Sequence, residues 1–354
     1  MNAPSSIAVT VRAADLEDAR ERARLDAFVA ASDAGTIFHR PQWSRAVEQG
    51  CGQKAHYLVA ERAGALLGCL PLSAIRSRLF GNALVSAGFG TGGGILAESE
   101  RAAVALADAA WALAERLGCP SLELRGGPLP DGFEARGGVY SSFARDLPAD
   151  AAALLKALPR RQRAEVRRAE RFGLAVSSGS DESHRDAHYQ VYAESVRNLG
   201  TPVFPRALFE AMMEGFGDAA EIILVWEGSR PQATMLSFVH KQVFQPYWGG
   251  GTARGRDLSA NDLAYFEVMR RAIARGCTRA DFGRSKVGTG PWKRKKIWDF
   301  EEQPLVYGVR TAQGAPRRDV NPLSDGNRRK VDLWKRMPLW AANRLGPLIA
   351  RGLG

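Results

Sequence analysis

The chain has 354 residues, of which 45% are hydrophobic, with a formal net charge of +11. That length fits two domains of ordinary size, and the basic excess favours acidic partners: nucleic acid, anionic lipid or a phosphorylated substrate. Four scattered cysteines without a CxxC and five histidines outside metal-type spacing argue against a zinc site, so free thiols in a reducing cytoplasm are expected.

The predicted elements begin after a polar arm rich in charge, with no apolar targeting segment. Pro41 opens a helix. His56–Glu61 and Ala65–Ile75 pattern as strands around a turn at Arg62–Gly64, and Ala83–Phe89 is a third, running into Gly90–Gly94. Glu98–Leu117 repeats apolar residues at helical spacing and stops at Gly118. Ser121–Arg125 is then a buried strand. Next comes an arginine-rich helix, Pro159–Arg171, with Val166 and Ala169 inward. Its six arginines against two glutamates favour a phosphate-facing surface over a merely solvated one. The same order follows again. Asp186–Asn198 and Arg206–Phe216 are helices; Glu221–Glu227, Gln232–Val239 and Val243–Trp248 are strands. After Gly249–Gly251 a polar loop, Thr252–Leu258, leads to the helix Asn261–Arg275 and the strand Arg279–Phe282. Strand pair, glycine exit, helix, strand therefore occurs twice.

The segment Arg279–Phe300 is the most informative. A strand end passes through Gly283, Arg284, Ser285 and Lys286 into a glycine turn, then into Lys293, Arg294, Lys295 and Lys296 beside Trp292 and Trp298. Glycines and cations together suit an anionic, phosphate-bearing ligand. The Gly249–Gly251 exit sits where a helix start would attract phosphate, although GGGTARGRDLSAN does not match the coenzyme A pattern of GNAT enzymes.

The strings FHRPQW (Phe38–Trp43), PLSAIRSRLFGNALVSAGFGTGGG (Pro71–Gly94), LELR (Leu122–Arg125), LPRRQRAEVRRAERFGL (Leu158–Leu174), DFGRSKVGTGPW (Asp281–Trp292) and WKRMPLWAANRLGP (Trp334–Pro347) resemble FemAB-related proteins, specifically the PEP-CTERM/exosortase-associated branch. The resemblance implies an α/β (α+β) fold of two tandem GNAT-like domains, each a mixed sheet flanked by helices. On it the chain divides into an arm (1–35), a first domain (36–150), a second domain (151–315) containing the basic helix 158–173, and a basic amphipathic tail (316–354). It also implies acyl or aminoacyl transfer to an amine or hydroxyl of a cell-envelope or exopolysaccharide precursor. The best-known FemAB enzymes take amino acids from aminoacyl-tRNA. The family's Phe-Lys pair near Trp-Gly-Phe stands here as Arg294-Lys295 near Trp298-Asp299-Phe300.

An activated ester needs no metal and no covalent nucleophile, so no cofactor is required. The donor stays open between aminoacyl-tRNA and acyl-CoA. Asp281 and Lys295 are the catalytic candidates. Asp281 either helps deprotonate an attacking amine or caps the turn at Gly283, and Lys295 steadies developing negative charge. Arg163, Arg167, Tyr247, Arg284 and Lys286 are the substrate-binding candidates, with the cations expected in one electropositive cleft. The histidines show no Ser or Cys partner. The alternative class is a non-catalytic scaffold of envelope polysaccharide assembly. A tRNA acceptor stem remains a candidate partner; sequence-specific DNA binding is not expected. The tail interleaves Trp334, Trp340, Leu345 and Leu348 with Lys335, Arg336, Arg344 and Arg351. It either lies on anionic lipid, placing a cytoplasmic enzyme at the inner membrane, or packs back and buries both tryptophans. Pro338 and Pro347 are expected to break it.

Overall fold

The computed structural model describes residues 8–316 and 325–354, which fall into two units. The first contains β1 (Thr10–Ala13), α1 (Ala19–Ala31), α2 (Pro41–Cys51), β2 (Lys54–Arg62), β3 (Ala65–Ile75), β4 (Ala83–Ser86), β5 (Leu96–Ala97), α3 (Glu100–Arg116), β6 (Ser121–Arg125) and β7 (Glu134–Arg136). Its sheet runs β1-β2-β3-β4-β6, then a strand from much later in the chain, Tyr307–Thr311, then β7. Helix α3 forms for the reasons legible in its sequence. Ser99 accepts from the Ala102 amide, and Ala102, Leu106, Ala110 and Leu113 are buried at helical spacing against the sheet. The chain leaves it through Gly118, whose φ of 64° suits glycine.

The expected arm is part of this unit. β1 pairs with β2, and α1 buries Leu25 and Val29, because its apolar positions lie on one stripe despite nine charged residues in the first thirty.

The second unit holds β8 (Tyr140–Asp146), α4 (Ala151–Ala157), α5 (Arg160–Arg171), β9 (Ala175–Gly179), α6 (Glu182–Leu199), α7 (Arg206–Phe216), β10 (Ala220–Glu227), β11 (Arg230–His240), β12 (Val243–Gly251), α8 (Ala253–Asp257), α9 (Ala260–Ala274), β13 (Arg279–Lys286), α10 (Gly290–Ile297) and β14 (Glu301–Pro304). The strand that joins the first unit is β15 (Tyr307–Thr311). The helices α11 (Asp325–Arg336) and α12 (Leu339–Ala350) again belong to the second unit, and residues 351–354 to the first. The boundary expected at 150 is therefore corrected to 137, since β8 pairs with β13 and β14 of the second sheet. The second domain does not run unbroken to 315 either, because β15 pairs with β6.

The second sheet runs β14-β8-β13-β12-β11-β10-β9. Its two faces are distinct. Phe143, Val225, Ala233, Phe244, Ala280 and Phe282 point to the side of α4, α5 and α9. Thr234, Phe238 and Trp248 point to the other side, where His188 donates to or accepts from Thr234 Oγ1 at 2.8 Å and packs with Tyr192 and Phe209. Burial pushes the His188 imidazole down to about 3, so this histidine is a neutral core group.

Pro338 does separate α11 from α12, but Pro347 lies inside α12. Packing overrides the proline there. Ala342, Gly346 and Ala350 form a buried small-residue stripe, and a Cβ on Gly346 would sit 2.9 Å from Val203. Trp334 is buried at 8% exposure while Trp340 is 74% exposed, so the tail packs through one tryptophan and presents the other. Among the described residues no helix is long and apolar enough to cross a membrane.

Candidate functional site

The two sheets share one irregularity. In each, a strand leading into glycines runs parallel to the strand after the next long helix, and the two part after two rungs. In the first unit the rungs are Leu84↔Leu122 and Val85↔Glu123; in the second they are Val243↔Arg279 and Phe244↔Ala280. Beyond those rungs no further ladder pair joins the two strands among the described residues, and a wedge opens between them.

In the second wedge the polar groups come from β12, β13 and β8. Asp281 Oδ1 accepts from the Gly283 amide at 2.8 Å and from Ser142 Oγ at 3.4 Å. Its Oδ2 accepts from Gln245 Nε2 at 3.1 Å, across the opening between β12 and β13. Asp281 thus caps the turn, as the second of its two expected roles required, yet remains half-exposed. Between Asp281 and Arg284, β13 bulges: Asp281 faces Ala144 and Arg284 faces Ser142, leaving Phe282 and Gly283 opposite Phe143. Gly283 has φ of 61°, and a Cβ there would lie 3.9 Å from the Tyr247 ring. Tyr247 is half-buried at a β12 irregularity, edge-on to Trp248 at 4.8 Å.

Lys295 has another job than the one expected. Its ammonium is 6% exposed and donates to the carbonyls of Phe282, Gly283 and Arg284 at 2.5, 3.0 and 3.3 Å. These contacts tie Lys295 to the bulge of β13. Burial pushes it down to about 7, opposed by the Asp281 charge.

The cations do not gather in one cleft. Directly paired residues of an antiparallel ladder share a face, so Arg284 lies with Ser142 and Lys286 with Tyr140, and Arg284 Cζ stands 4.8 Å from the Tyr140 ring. This is the face opposite Phe143, and α5 packs on the Phe143 face with Val166, Ala169 and Gln162 buried. Arg163 donates to Lys156 O at 3.0 Å, ending α4, and Arg167 is exposed on the outer side of α5. The arginine helix and the Lys293–Lys296 run do meet, at Asp262 of α9. Arg294 pairs with it at 3.1 Å, and Arg161 adds its charge. Burial raises the Asp262 carboxyl and Arg294 opposes that rise.

The glycine exit is also corrected. A Cβ on Gly249, Gly250 or Gly251 would strike Met235, Ser195 or Asn261, respectively, so these glycines serve close packing. At the start of α8 the Ala253 amide donates to Glu194 at 3.0 Å and the Gly255 amide to Thr252 Oγ1 at 2.9 Å, while Arg254 is paired with Glu227. The Glu194 carboxylate thus takes the first amide of α8. Asn261 does not cap α9: Ser259 holds the N-cap position, with φ of 57°, and its hydroxyl donates to Glu165 rather than accepting from a helix amide.

His184 does find a serine: Ser177 Oγ lies 3.2 Å from Nε2, and Asp181 lies 2.7 Å from Nδ1. Asp181 is the N-cap of α6, and Ser177 Oγ already accepts from the Trp226 indole, so the three side chains latch the edge strand β9 to α6. Among the described residues no cluster of three His, Cys, Asp or Glu side chains could hold a metal ion.

Sequence reasoning missed Gln245, Ser142 and Tyr140. It also missed the wedge of the first unit, where three of the quoted strings converge. Trp43 Nε1 donates to Gly88 O at 2.9 Å, His39 Nε2 meets Gly94 O at 3.1 Å, and Arg125 Nη1 donates to Gly90 O at 3.0 Å. A buried arginine inside the apolar strand LELR was the available signal.

The sequence profile of the acetyltransferase (GNAT) domain matches residues 156–294, within the second unit. No curated protein sequence matches the chain significantly. Solved structures share its fold. FemX superposes with a TM-score of 0.63 at 15% identity, covering 84% of this chain and 96% of that one. The C-terminal domain of a putative lysylphosphatidylglycerol synthetase from Agrobacterium fabrum gives 0.55 at 12%, covering 83% and 92%. A tandem GNAT protein from the clavulanic acid biosynthesis pathway gives 0.54 at 10%, covering 87% and 100%. The fold is that of the tandem GNAT proteins: two mixed sheets, each flanked by helices.

Proposed function

We propose that the chain is a GNAT-fold acyltransferase of the FemAB type that moves an aminoacyl or acyl group from an activated ester to an amine or hydroxyl of a cell-envelope or exopolysaccharide precursor. The observation that carries this reading is the second wedge. A half-exposed carboxylate, Asp281, is oriented by Gln245, Ser142 and the Gly283 amide at the point where two parallel strands separate. Asp281 takes the proton from the attacking amine as the new bond to the acyl carbon forms and the ester oxygen leaves with the electron pair. Arg284 and Lys286, on the same sheet face as Asp281, hold the anionic part of a substrate. Glu194 at the α8 terminus disfavours a coenzyme pyrophosphate there, which supports aminoacyl-tRNA as donor, with the exposed arginines of α5 as contacts for the acceptor stem.

The test offers radiolabelled aminoacyl-tRNA and, separately, radiolabelled acetyl-CoA, with envelope precursors as acceptors. Label should pass from the tRNA to a precursor, and Asp281→Asn should slow this by about 100-fold. No transfer from either donor would leave the scaffold reading in its place.

A second observation supports a membrane location. Trp340, Arg344 and Leu348 lie at four-residue spacing on α12 and are all exposed, with Leu345 beside them. Aromatic, aliphatic and cationic groups on one helix face suit the surface of an anionic bilayer. This face would bring the enzyme to lipid-linked acceptors at the inner membrane, in keeping with the PEP-CTERM/exosortase resemblance.

A further inference from the structure

The carboxylate of the second wedge has a neighbour whose hydrogen bonding is unfinished. Gln245 lies on β12 opposite Phe238 of β11, and directly paired residues share a face. Phe238 is fully buried and packs on Phe216 at 5.0 Å, so the floor beside the amide is apolar. Gln245 itself is 8% exposed, and its Nε2 donates to Asp281 Oδ2 at 3.1 Å. An ionised carboxylate only accepts, so this contact fixes which end of the amide faces Asp281. The other end, Oε1, has no hydrogen-bond partner among the described residues, a costly state for a buried acceptor.

Asp281 is unevenly used. Its Oδ1 accepts from the Gly283 amide at 2.8 Å and from Ser142 Oγ at 3.4 Å. Gln245 Nε2 is the one donor to Oδ2 among the described residues. Asp281 Oδ2 and Gln245 Oε1 therefore stand one amide nitrogen apart at the opening between β12 and β13, each with a lone pair to spare.

Two adjacent acceptors suit a group that brings two hydrogens on one atom. A neutral primary amine does so; a hydroxyl brings one. As the amine nitrogen bonds to the acyl carbon, the ester oxygen leaves with its electron pair. One N–H proton passes to Asp281 Oδ2 and on to that oxygen, and the second stays on the nitrogen of the new amide. We infer that Gln245 holds this second N–H through Oε1 and so selects an amine over a hydroxyl as the acceptor. A hydroxyl gives its only proton to Asp281 and turns lone pairs toward Oε1. A site that leaves a buried polar group unpaired with one of two analogues rejects that analogue by about tenfold or more.

The inference rests on the transfer reading, yet acceptor binding is measured without a donor, so the two fail separately. The probes are O-phosphoethanolamine and 2-hydroxyethyl phosphate, which differ only in the amine or hydroxyl, titrated by calorimetry. The parent chain should bind the amine at least about tenfold more tightly. Gln245→Met, similar in size but with neither donor nor acceptor, should cut that preference by about tenfold, while Gln245→Glu, which restores an acceptor, should keep it. With radiolabelled aminoacyl-tRNA added, label should pass to the amine probe, and the amine-to-hydroxyl ratio of kcat/KM should follow the same order among the variants. If Gln245 only orients Asp281, both variants slow both acceptors equally and leave the ratio unmoved. That result, or no amine preference in the parent chain, would overturn the inference. Amine-selective binding that depends on Gln245, without transfer from either donor, would sink the transfer reading and uphold the amine assignment.

Discussion

The two wedges start from the same geometry, two parallel rungs and a glycine exit, and end differently. In the first unit the exit is locked by main chain. A Cβ on Gly94 would run into the Gly126 carbonyl, and one on Gly127 into that of Ile95. In the second unit the exit is packed mainly by side chains, with the Thr234 carbonyl also against Gly249, and the departing strand is bent by a bulge whose carbonyls a buried lysine ties together. A duplicated frame can thus be made rigid either by backbone contact or by one polar anchor. The anchored one holds its partly exposed carboxylate, Asp281, through Gln245, Ser142 and the Gly283 amide, whereas Glu123 at the first wedge is paired with Arg125.

The largest expected effect breaks that anchor. Lys295→Met leaves three buried carbonyls unpaired and should cost the second unit about 3 kcal/mol or more, read as a drop in the urea midpoint, with loss of transfer activity. The pH dependence sharpens the point. Lys295 titrates near 7 when folded and at its ordinary 10.5 when unfolded, so between those values the unfolded chain binds the extra proton. Its contribution to stability is full above 10.5 and is lost as pH falls through 7. The stability difference between the parent chain and Lys295→Met should therefore grow from pH 7 toward pH 10; a flat difference would remove Lys295 from this account.

The next effect separates the two locks. Gly94→Ala meets a carbonyl that cannot yield and should destabilise the first unit by roughly 3 kcal/mol. Gly251→Ala first meets the Asn261 side chain, at 2.5 Å, and should cost about 1 kcal/mol, recovered in the double variant with Asn261→Ala. Equal losses, or no recovery, would erase the distinction between the wedges. Gly283→Ala should cost about 1 kcal/mol through its positive φ alone, since its Cβ would make only ordinary contact with Tyr247 at 3.9 Å, and this is read as a drop in the urea midpoint. The smallest effect on stability, within about 0.5 kcal/mol, is expected of Trp340→Ala with Leu348→Ala. That pair should nevertheless reduce co-sedimentation with anionic vesicles at low salt and leave neutral vesicles unaffected.

Much of the frame is legible in the chain. α3 and α9 follow from helical spacing, and the repeated order of elements points to the fold. The face on which each cation lies is not legible, because the bulge at Phe282–Gly283 interrupts the alternation that would have assigned Arg284 and Lys286. Lys295 was hidden in a run of four cations that resembles a solvated loop. Its spacing of three from both Trp292 and Trp298, which pack inward on α10 and just after it, was the signal that it turns inside. The glycines at 249–251 were visible, but whether they face a ligand or a neighbouring side chain depends on contacts from α6 and β11, far off in sequence.

One feature of connectivity bears on how the protein is made. β15 lies between β6 and β7 in the first sheet, yet it emerges only after the whole of β8 to β14. During synthesis the amino-terminal unit must therefore wait on the ribosome with a gap in its sheet until the chain has passed Thr311. The second unit has all its strands by Pro304 and can close first. The order of folding would then run against the order of translation. Until β15 arrives, the unpaired edges of β6 and β7 are where a chaperone would have to stand guard.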